Sequence, residues 1–210
     1  MKNFSPFRLA EHRFFKTITL NGTTLDIGGD QKGEYQELIQ GNNTFITTNI
    51  PGGHSADLFF DANETFPIED EAYDNIFCSN VIEHLHSPEK AIREMIRVVK
   101  KRGFIVVVIP FMYQIHGSPS DYADYVRLTP SYFEKKAEEC GFTIVKAEPF
   151  APGLFTCMFQ MAGGAVYPTF LRSICMWVCE KMDALFNHVS GYRKLSSRIP
   201  IGLCYVWQKN

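Results

Sequence analysis

The residues after Pro110 include several side chains that can exchange a proton or hold a ligand. A histidine ordinarily titrates near neutral pH, so His116 can take a proton from a hydroxyl group; the alternative is that it only ties its loop to a backbone carbonyl. Asp121 can orient His116 or begin a turn. Arg127 can hold an anionic ligand, or it can pair with Asp124 and brace the loop.

Aromatic side chains are interspersed with these polar groups. Tyr113, Tyr122 and Tyr125 can each stack on a sugar or an aromatic ring, and packing is the alternative for each of them. His84 lies on an earlier predicted loop and is interpreted as structural. The loop from Pro110 to Thr129 can therefore bind a small molecule and supply a general base, or its polar and aromatic groups can serve only to brace and pack the loop.

Three predicted strands end in groups suited to a nucleoside. The first ends at Asp26 and runs into Gly28 and Gly29, where the backbone can turn sharply and lie against a ligand. The second ends at Asn49, which offers neutral hydrogen bonds of about half the strength of an acid's. The third ends at the dipeptide Asp61-Ala62, whose carboxylate can accept a hydrogen bond from an exocyclic amine such as that of adenine. An ordinary turn or cap is the alternative at each strand end.

The elements that must position these groups alternate between strand and helix. Short runs rich in apolar or β-branched residues predict strands at 23–29, 44–50, 58–62, 73–79, 104–110, 142–147 and 201–207. Helices are predicted at 33–40, from the N-cap Ser87 and Pro88 to a left-handed cap at Gly103, and from Thr129 to Cys140. This alternation indicates an α/β protein with a mostly parallel sheet, which binds ligands beyond the carboxyl ends of its strands.

The stretch from Leu25 to Lys146 resembles class I S-adenosylmethionine-dependent methyltransferases. The most specific part is Tyr-Asp-Asn-Ile-Phe-Cys-Ser-Asn-Val-Ile-Glu-His-Leu at 73–85, followed by the helix that ends in Arg-Val-Val-Lys-Lys-Arg-Gly-Phe at 97–104. The resemblance implies a three-layer Rossmann-like fold, in which a mostly parallel seven-stranded sheet has a reversed last strand. It also implies S-adenosylmethionine as the cofactor.

The resemblance further implies roles for residues at matching positions. Asp26, Gly28 and Gly29 would line the methionine end of the cofactor, and Asn49 would lie by the ribose. The remaining cofactor-binding residues would be Asp61 and Ala62 at the adenine, and Ser79 and Asn80 beside the cofactor after the fourth strand. Two departures, a reduced glycine motif and Asn49 in place of the usual acid, leave a catalytically degenerate binding protein as the alternative.

The loop after Pro110 resembles one in methyltransferase-like proteins often associated with cell-surface polysaccharide synthesis. This likeness implies methyl transfer to an oxygen of a small molecule, such as a sugar or a lipid-linked saccharide. In that interpretation His116 is the catalytic base. The substrate-binding residues are Tyr113, Asp121, Tyr122 and Arg127.

Composition excludes several other classes. The chain is 45% hydrophobic and 21% charged, with a net charge of −2, which argues against a nucleic-acid-binding protein. No cysteine and histidine spacing typical of a zinc site occurs, so no metal is expected. The first residues lack the apolar core of a signal peptide, and we therefore expect a cytoplasmic protein.

One segment does not fit a minimal α/β domain. Residues 1–210 are expected to form a single domain, with an apolar helical insertion at about 150–195 before the last strand. No charge lies between Glu148 and Arg172, a length that could span a bilayer, but its prolines and glycines argue against a spanning helix. The insertion can serve as a lid, as a homodimer face, or as a contact with a membrane or a lipid-linked substrate.

Overall fold

A computed structural model describes residues 4–31, 33–117, 122–162 and 169–210. The strands are β1 (Gly22–Ile27), β2 (Asn43–Asn49), β3 (Leu58–Phe59), β4 (Tyr73–Ser79), β5 (Val99–Pro110), β6 (Phe142–Phe150) and β7 (Gly202–Lys209). The helices are α1 (Pro6–Phe15), α2 (Pro88–Val98), α3 (Pro130–Glu139), α4 (Leu154–Ala162), α5 (Thr169–Phe186) and α6 (Ser190–Ser196).

All seven strands form one sheet in the order β3-β2-β1-β4-β5-β7-β6. The pairs from β3 to β5 are parallel. Strand β7 lies between β5 and β6 and runs antiparallel to both. The predicted mostly parallel, seven-stranded sheet with a reversed last strand is confirmed.

The apolar run in β5 explains the three layers. Ile105, Val107 and Ile109 pack in the cluster that contains α2 and α3, whereas Val106 and Val108 pack in the cluster that contains α1 and α4. Because side chains alternate across a strand, a central strand must be apolar on both faces to be covered on both. The helices therefore bury both sides of the sheet.

The strand order reverses direction at β1. Strand β1 pairs with β2 on one side and with β4 on the other, so the connections leave it in opposite directions. Such a switch point opens a crevice beyond the carboxyl ends of the strands. The predicted ligand site lies at this crevice.

One predicted helix and one predicted helix end are wrong. Only Gln36–Leu38 form a short 3-10 turn within the predicted helix at 33–40, because the side chains of Tyr35 and Gln36 turn inward to Asp26. Helix α2 ends at Val98 rather than at Gly103, since the next residue already pairs with β4 in the sheet.

Local geometry accounts for the residues at these boundaries. Arg102, not Gly103, has a positive φ, of 62°. Gly103 is needed for a different reason, because a Cβ there would lie 2.4 Å from the backbone oxygen of Asp74. Ser87 occupies the N-cap position of α2, but its side chain makes no capping hydrogen bond.

Helices α4, α5 and α6 lie between β6 and β7. The buried carboxylate of Asp183, on α5, accepts hydrogen bonds from the backbone N–H groups of Phe155 and Thr156, each at 2.9 Å. It therefore satisfies the first turn of α4 from a neighbouring helix, as a capping side chain does. Tyr192 of α6 donates to the same carboxylate, so one buried group joins all three helices.

Among the described residues, no helix has both the length and the hydropathy required to cross a bilayer.

Candidate active site

A cavity of about 680 Å³ lies at the carboxyl ends of β1, β2, β4 and β5, beneath α1. This volume falls within the range of about 300–1,000 Å³ that is typical of small-molecule sites. The predicted site residues that line it are Asp26, Gly28, Asn49, Asp61, Ala62, Ser79, Asn80, Tyr113, His116 and Tyr122. Gly29 and Arg127 do not line it. Asp121 lies outside the described residues.

Asp26 is the buried carboxylate at the end of β1. It accepts a hydrogen bond of 2.5 Å from the Tyr35 hydroxyl and a longer one from the Gln36 amide. Burial raises its pKa from 3.8 to about 7, although both hydrogen bonds oppose the rise. The cavity therefore has at its floor a carboxyl group that would ionise more readily beside a cation.

The two glycines after β1 allow the chain to turn over this carboxyl group. Gly28 has a φ of +71°, and a Cβ there would lie 2.5 Å from a methyl group of Val81. A Cβ on Gly29 would lie 2.5 Å from the carboxyl carbon of Asp26. Both positions therefore exclude larger residues for steric reasons.

Asn49, at the end of β2, already uses both parts of its amide. Its Nδ2 donates to the backbone oxygen of Gly29 at 3.3 Å, and its Oδ1 accepts from the backbone N–H of Ile50 at 2.9 Å. The amide thus ties the end of β2 to the glycine turn after β1. A ligand would meet a neutral group here rather than an acid.

Asp61 and Ala62 follow β3 on the cavity wall beside Phe60. Oδ1 of Asp61 accepts from both the backbone and the side-chain nitrogen of Asn63, at 2.8 and 2.9 Å. This turn holds the exposed carboxylate at the rim and provides a flat apolar surface next to it. A purine with an exocyclic amine matches that combination.

Helix α1 covers the cavity, and sequence reasoning missed its role. Glu11 is fully buried, and its Oε1 accepts from Ser79 Oγ at 2.6 Å and from Asn80 Nδ2 at 2.7 Å. Arg8 pairs with the other oxygen at 2.5 Å. The signals available in sequence were the Ser5-Pro6 start and the apolar face of the helix. Ser79 and Asn80, the two residues predicted to lie beside a cofactor, therefore anchor the helix that covers the cavity.

His116 lies at the opposite end of the cavity, after β5. Its Nδ1 lies 3.1 Å from Asp124 Oδ2 and 3.3 Å from the backbone oxygen of Gln114. Both neighbours accept hydrogen bonds, so Nδ1 carries the hydrogen and Nε2 of the neutral ring has a free lone pair. Arg127 pairs with both oxygens of Asp124, one of them at 2.5 Å, which fixes the carboxylate that orients the histidine.

The pairing of Arg127 with Asp124 braces the loop and lowers the pKa of the Asp124 carboxyl group. The guanidinium and the N–H of His116 are hydrogen-bonded to Asp124 and hold the pKa of that carboxyl at about 2, against the effect of its burial. Asp124 is therefore ionised throughout the neutral range. The arrangement resembles the carboxylate-to-histidine pairs that fix an imidazole for proton transfer.

Glu83 and His84 complete this end of the cavity, and sequence reasoning assigned them no site role. Glu83 is fully buried, and neither oxygen of its carboxylate has a hydrogen-bond partner among the described residues. Burial raises its pKa to about 8. Nε2 of His84 lies 3.7 Å from Glu83 Oε1, and Nε2 of His116 lies 3.9 Å from the same atom.

Aromatic rings surround these histidines. Tyr113 lies with its ring centroid 5.2 Å from that of His116, and Tyr122 lies 4.5 Å from His84. Both tyrosines line the cavity. An acceptor bound at this end would therefore lie between tyrosine rings and next to imidazole nitrogens.

The comparisons with known proteins agree with this geometry. Residues 42–107 match the model of a methyltransferase domain. No curated protein matches the chain at a significant level. The fold is similar to a putative S-adenosylmethionine-dependent methyltransferase from Listeria monocytogenes, with 10% identity, 96% of this chain and 97% of that chain covered, and a TM-score of 0.59.

Two further structures show the range of this fold. Phosphoethanolamine N-methyltransferase 2 from Haemonchus contortus, in complex with S-adenosyl-L-methionine, is 15% identical over 99% of this chain and 54% of that chain, with a TM-score of 0.56. The [4+2]-cyclase SpnF is 17% identical over 96% of this chain and 80% of that chain, with a TM-score of 0.54.

The residues of the cavity fit an adenosyl sulfonium. Asp26 supplies a buried carboxylate for a cationic methionine end, the cavity lies open above the glycine turn, and Asp61 stands beside an apolar wall at the rim. The volume is of the size expected for a small ligand. The methyltransferase-domain match over residues 42–107 and the shared fold support S-adenosylmethionine as the ligand of this cavity.

Proposed function

We propose that this chain transfers a methyl group from S-adenosylmethionine to an oxygen atom of a small acceptor, with His116 as the catalytic base. One observation carries the proposal: a single cavity joins the Asp26 and glycine floor to the imidazole of His116. S-adenosylmethionine supplies an already activated methyl group when it is bound. The protein then needs chiefly to align the acceptor and exclude water.

Each of the cofactor-binding residues is assigned to one part of the cofactor. Asp26 and Gly28 hold the methionine end, Gly29 shapes the turn behind them without lining the cavity, and Asn49 lies by the ribose. Asp61 and Ala62 receive the adenine, and Ser79 and Asn80 lie beside the cofactor at the end of β4. The position of Gly28 on the cavity wall and the raised pKa of Asp26 support this assignment.

At the other end, His116 accepts the proton of the acceptor hydroxyl. The hydrogen on Nδ1 is bonded to Asp124, so Nε2 is the basic atom, and it lies 3.9 Å from Oε1 of Glu83 at the edge of the cavity. Tyr113 and Tyr122 flank the acceptor, a role that suits the ring of a sugar. Arg127 orients Asp124 in this arrangement rather than binding the acceptor.

A lipid-linked saccharide on the cytoplasmic side of a membrane is the acceptor that we propose within this class. The support comes from α5, where Phe170, Ile174 and Trp177 are each more than half exposed. Aromatic side chains with neighbouring basic groups, here Arg172 and Lys181, are typical of helices that lie on a membrane surface. Co-sedimentation with anionic vesicles tests this contact, and a concentration-dependent homodimer without vesicle binding would contradict it.

Calorimetric titration with S-adenosylmethionine and with its demethylated product tests the cofactor site. We expect Asp26→Ala and Asp61→Ala each to weaken binding, because one removes the floor carboxylate and the other the rim carboxylate. Glu180→Gln, an exposed change on α5, is the control and should bind as the wild type does. Binding that is equal in all four proteins would refute the assigned site.

Radiolabelled methyl transfer to a pool of saccharide and lipid-linked acceptors tests the reaction. A His116→Gln variant should bind the cofactor normally and lose transfer by about 10²–10⁴-fold, the usual contribution of a general base. Transfer at the wild-type rate in this variant would exclude His116 as the base.

A binding protein without turnover is the second candidate. Asn49 favours it, because its amide is already engaged with Gly29 and Ile50 and provides no acid for the ribose. A tight cofactor complex that transfers methyl to no acceptor, and that is unaffected by His116→Gln, would decide for this candidate.

A further inference from the structure

Three potential metal ligands converge where the cavity meets its buried wall. Oε1 of Glu83 lies 3.7 Å from Nε2 of His84 and 3.9 Å from Nε2 of His116. One ligand atom from each residue lies within 4.8 Å of the others. Both histidines line the cavity, so the cluster has an open side.

The hydrogen-bond partners of the two histidines fix the same tautomer in each. Nδ1 of His84 lies 2.8 Å from the backbone oxygen of Ala123, and Nδ1 of His116 lies 3.1 Å from the carboxylate of Asp124. Each partner is an acceptor, so each Nδ1 carries its hydrogen and each Nε2 presents a lone pair. Metal-binding histidines are oriented in this way by a carbonyl or a carboxylate behind the ring.

Glu83 provides an independent observation. Its carboxylate is fully buried, and both of its oxygens lack a hydrogen-bond partner among the described residues. A buried carboxylate without a partner is costly, and here it faces two further electron-pair donors. Three acceptors facing one point require a cation or protons between them.

We propose that Glu83, His84 and His116 bind a divalent transition-metal cation, with Zn²⁺ and Fe²⁺ as the best matches. Two imidazoles and one carboxylate suit these ions, whereas Mg²⁺ and Ca²⁺ prefer oxygen ligands. Three protein ligands leave at least one coordination position open toward the cavity. Tetrahedral bonds of about 2.1 Å place ligand atoms about 3.4 Å apart. The two distances from Glu83 to the histidines, 3.7 and 3.9 Å, exceed this by only about half an ångström, and the ligand nitrogens of the two imidazoles lie within 4.8 Å of each other.

The site itself does not depend on methyl transfer, but its use does rest on the proposed function. A cation here would bind the acceptor oxygen and lower the pKa of its hydroxyl group, whose proton would pass to water, since Nε2 of His116 would then be bound to the metal. His116 then acts as a ligand in the metal-loaded protein and as a base in the metal-free protein. Asp124 orients the ring in both cases.

Metal titration of chelator-treated protein, without cofactor, tests the site. We expect Zn²⁺ to bind at one equivalent in calorimetry. Co²⁺ should give the visible absorption of a nitrogen- and oxygen-ligated ion without a thiolate charge-transfer band, and Mg²⁺ should give no comparable heat. Glu83→Gln and His84→Gln should each weaken Zn²⁺ binding by more than about 100-fold, the upper end of effects seen for residues behind the ligands.

His86→Gln is the matched control, because His86 lies two residues from His84 on the same cavity wall and is not part of the cluster. Its Zn²⁺ affinity should equal that of the wild type. Glu83→Gln replaces the buried carboxyl group with an amide of nearly the same size and is expected to fold with a similar melting temperature, which keeps the test interpretable. Should that variant misfold, His84→Gln and the Co²⁺ spectrum of the wild type decide.

Two outcomes would overturn the proposal: wild-type protein that binds no Zn²⁺ or Co²⁺ at millimolar concentration, or equal affinity in the wild type and the two ligand variants. A thiolate band with Co²⁺ would place the ion at the cysteines instead and would also overturn it. Cofactor titrations are separate measurements, so failure of the methyltransferase proposal would leave the metal result intact, and the reverse also holds.

Discussion

Protonation of Asp26 should be coupled to cofactor binding. The pKa of this carboxyl is raised to about 7 by burial, so roughly nine-tenths of the molecules carry the proton at pH 6 and roughly one-tenth at pH 8. A cationic methionine end placed beside it would ionise it. Binding should therefore release about 0.9 proton from Asp26 at pH 6 and about 0.1 at pH 8.

Calorimetry in buffers of different ionisation enthalpy measures this release directly. Asp26→Asn is the matched variant, since the amide preserves the shape and can still accept from Tyr35. The difference between wild type and variant isolates the contribution of Asp26 from that of the ligand's own amine. Equal proton release by both proteins at pH 6 would refute the reasoning.

The same carboxyl group predicts a pH dependence of stability without ligand. Because its pKa is raised on folding, its stabilising effect is complete below about pH 3.8 and is lost as the pH rises through about 7. The loss over this window amounts to at most about 4 kcal/mol. Urea denaturation should show that Asp26→Asn becomes relatively more stable toward pH 8; a constant difference between the two proteins from pH 5 to 8 would contradict this.

Three further predictions follow from single contacts. Gly28→Ala should lower the free energy of unfolding, measured by urea denaturation, by about 2–4 kcal/mol. Gly141→Ala has the same φ of +71° but nothing within 4 Å of the added Cβ, so it should lower that free energy by only about 1–2 kcal/mol. Equal losses would show that the structure relieves the Cβ contact at Gly28. Tyr35→Phe removes a bond that lowers the pKa of Asp26, so proton release should shift to higher pH in the same calorimetry, and an unchanged profile would contradict it. Asp183→Ala leaves two buried N–H groups unpaired and should destabilise by about 2–3 kcal/mol; a loss below about 0.5 kcal/mol in urea denaturation would exclude the capping role.

The fold was predictable because its signals are local. Apolar runs such as Phe104 to Pro110 identify central strands, and the stop at Gly141, with its positive φ, ends α3 as the sequence indicates. The helix predicted at 33–40 failed because a tertiary contact competed with local propensity. Tyr35 and Gln36 satisfy a buried carboxyl group nine or ten residues earlier in the chain, and no periodicity reports that contact.

The site was only partly predictable for the same reason. Strand ends directed attention to Asp26, Asn49 and Asp61, because parallel strands place their carboxyl ends at one edge. The roles of Glu11 and Glu83 depend on burial and on partners remote in sequence. From sequence alone, a glutamate in a helix or loop is expected to be exposed to solvent, so neither role could be predicted. Spacing alone could not show that His84 and His116 face one carboxylate.

The position of β7 has a consequence for how the molecule is made. It is the last strand in chain order, yet it lies inside the sheet, where it fills the space between β5 and β6 and pairs with both. During synthesis β6 therefore has no strand partner, and β5 has one unpaired edge, until the three helices before β7 and then β7 itself have left the ribosome. Long-range pairing of this kind slows folding and exposes strand edges to aggregation, so a nascent chain arrested before Gly202 should be a preferred client of chaperones.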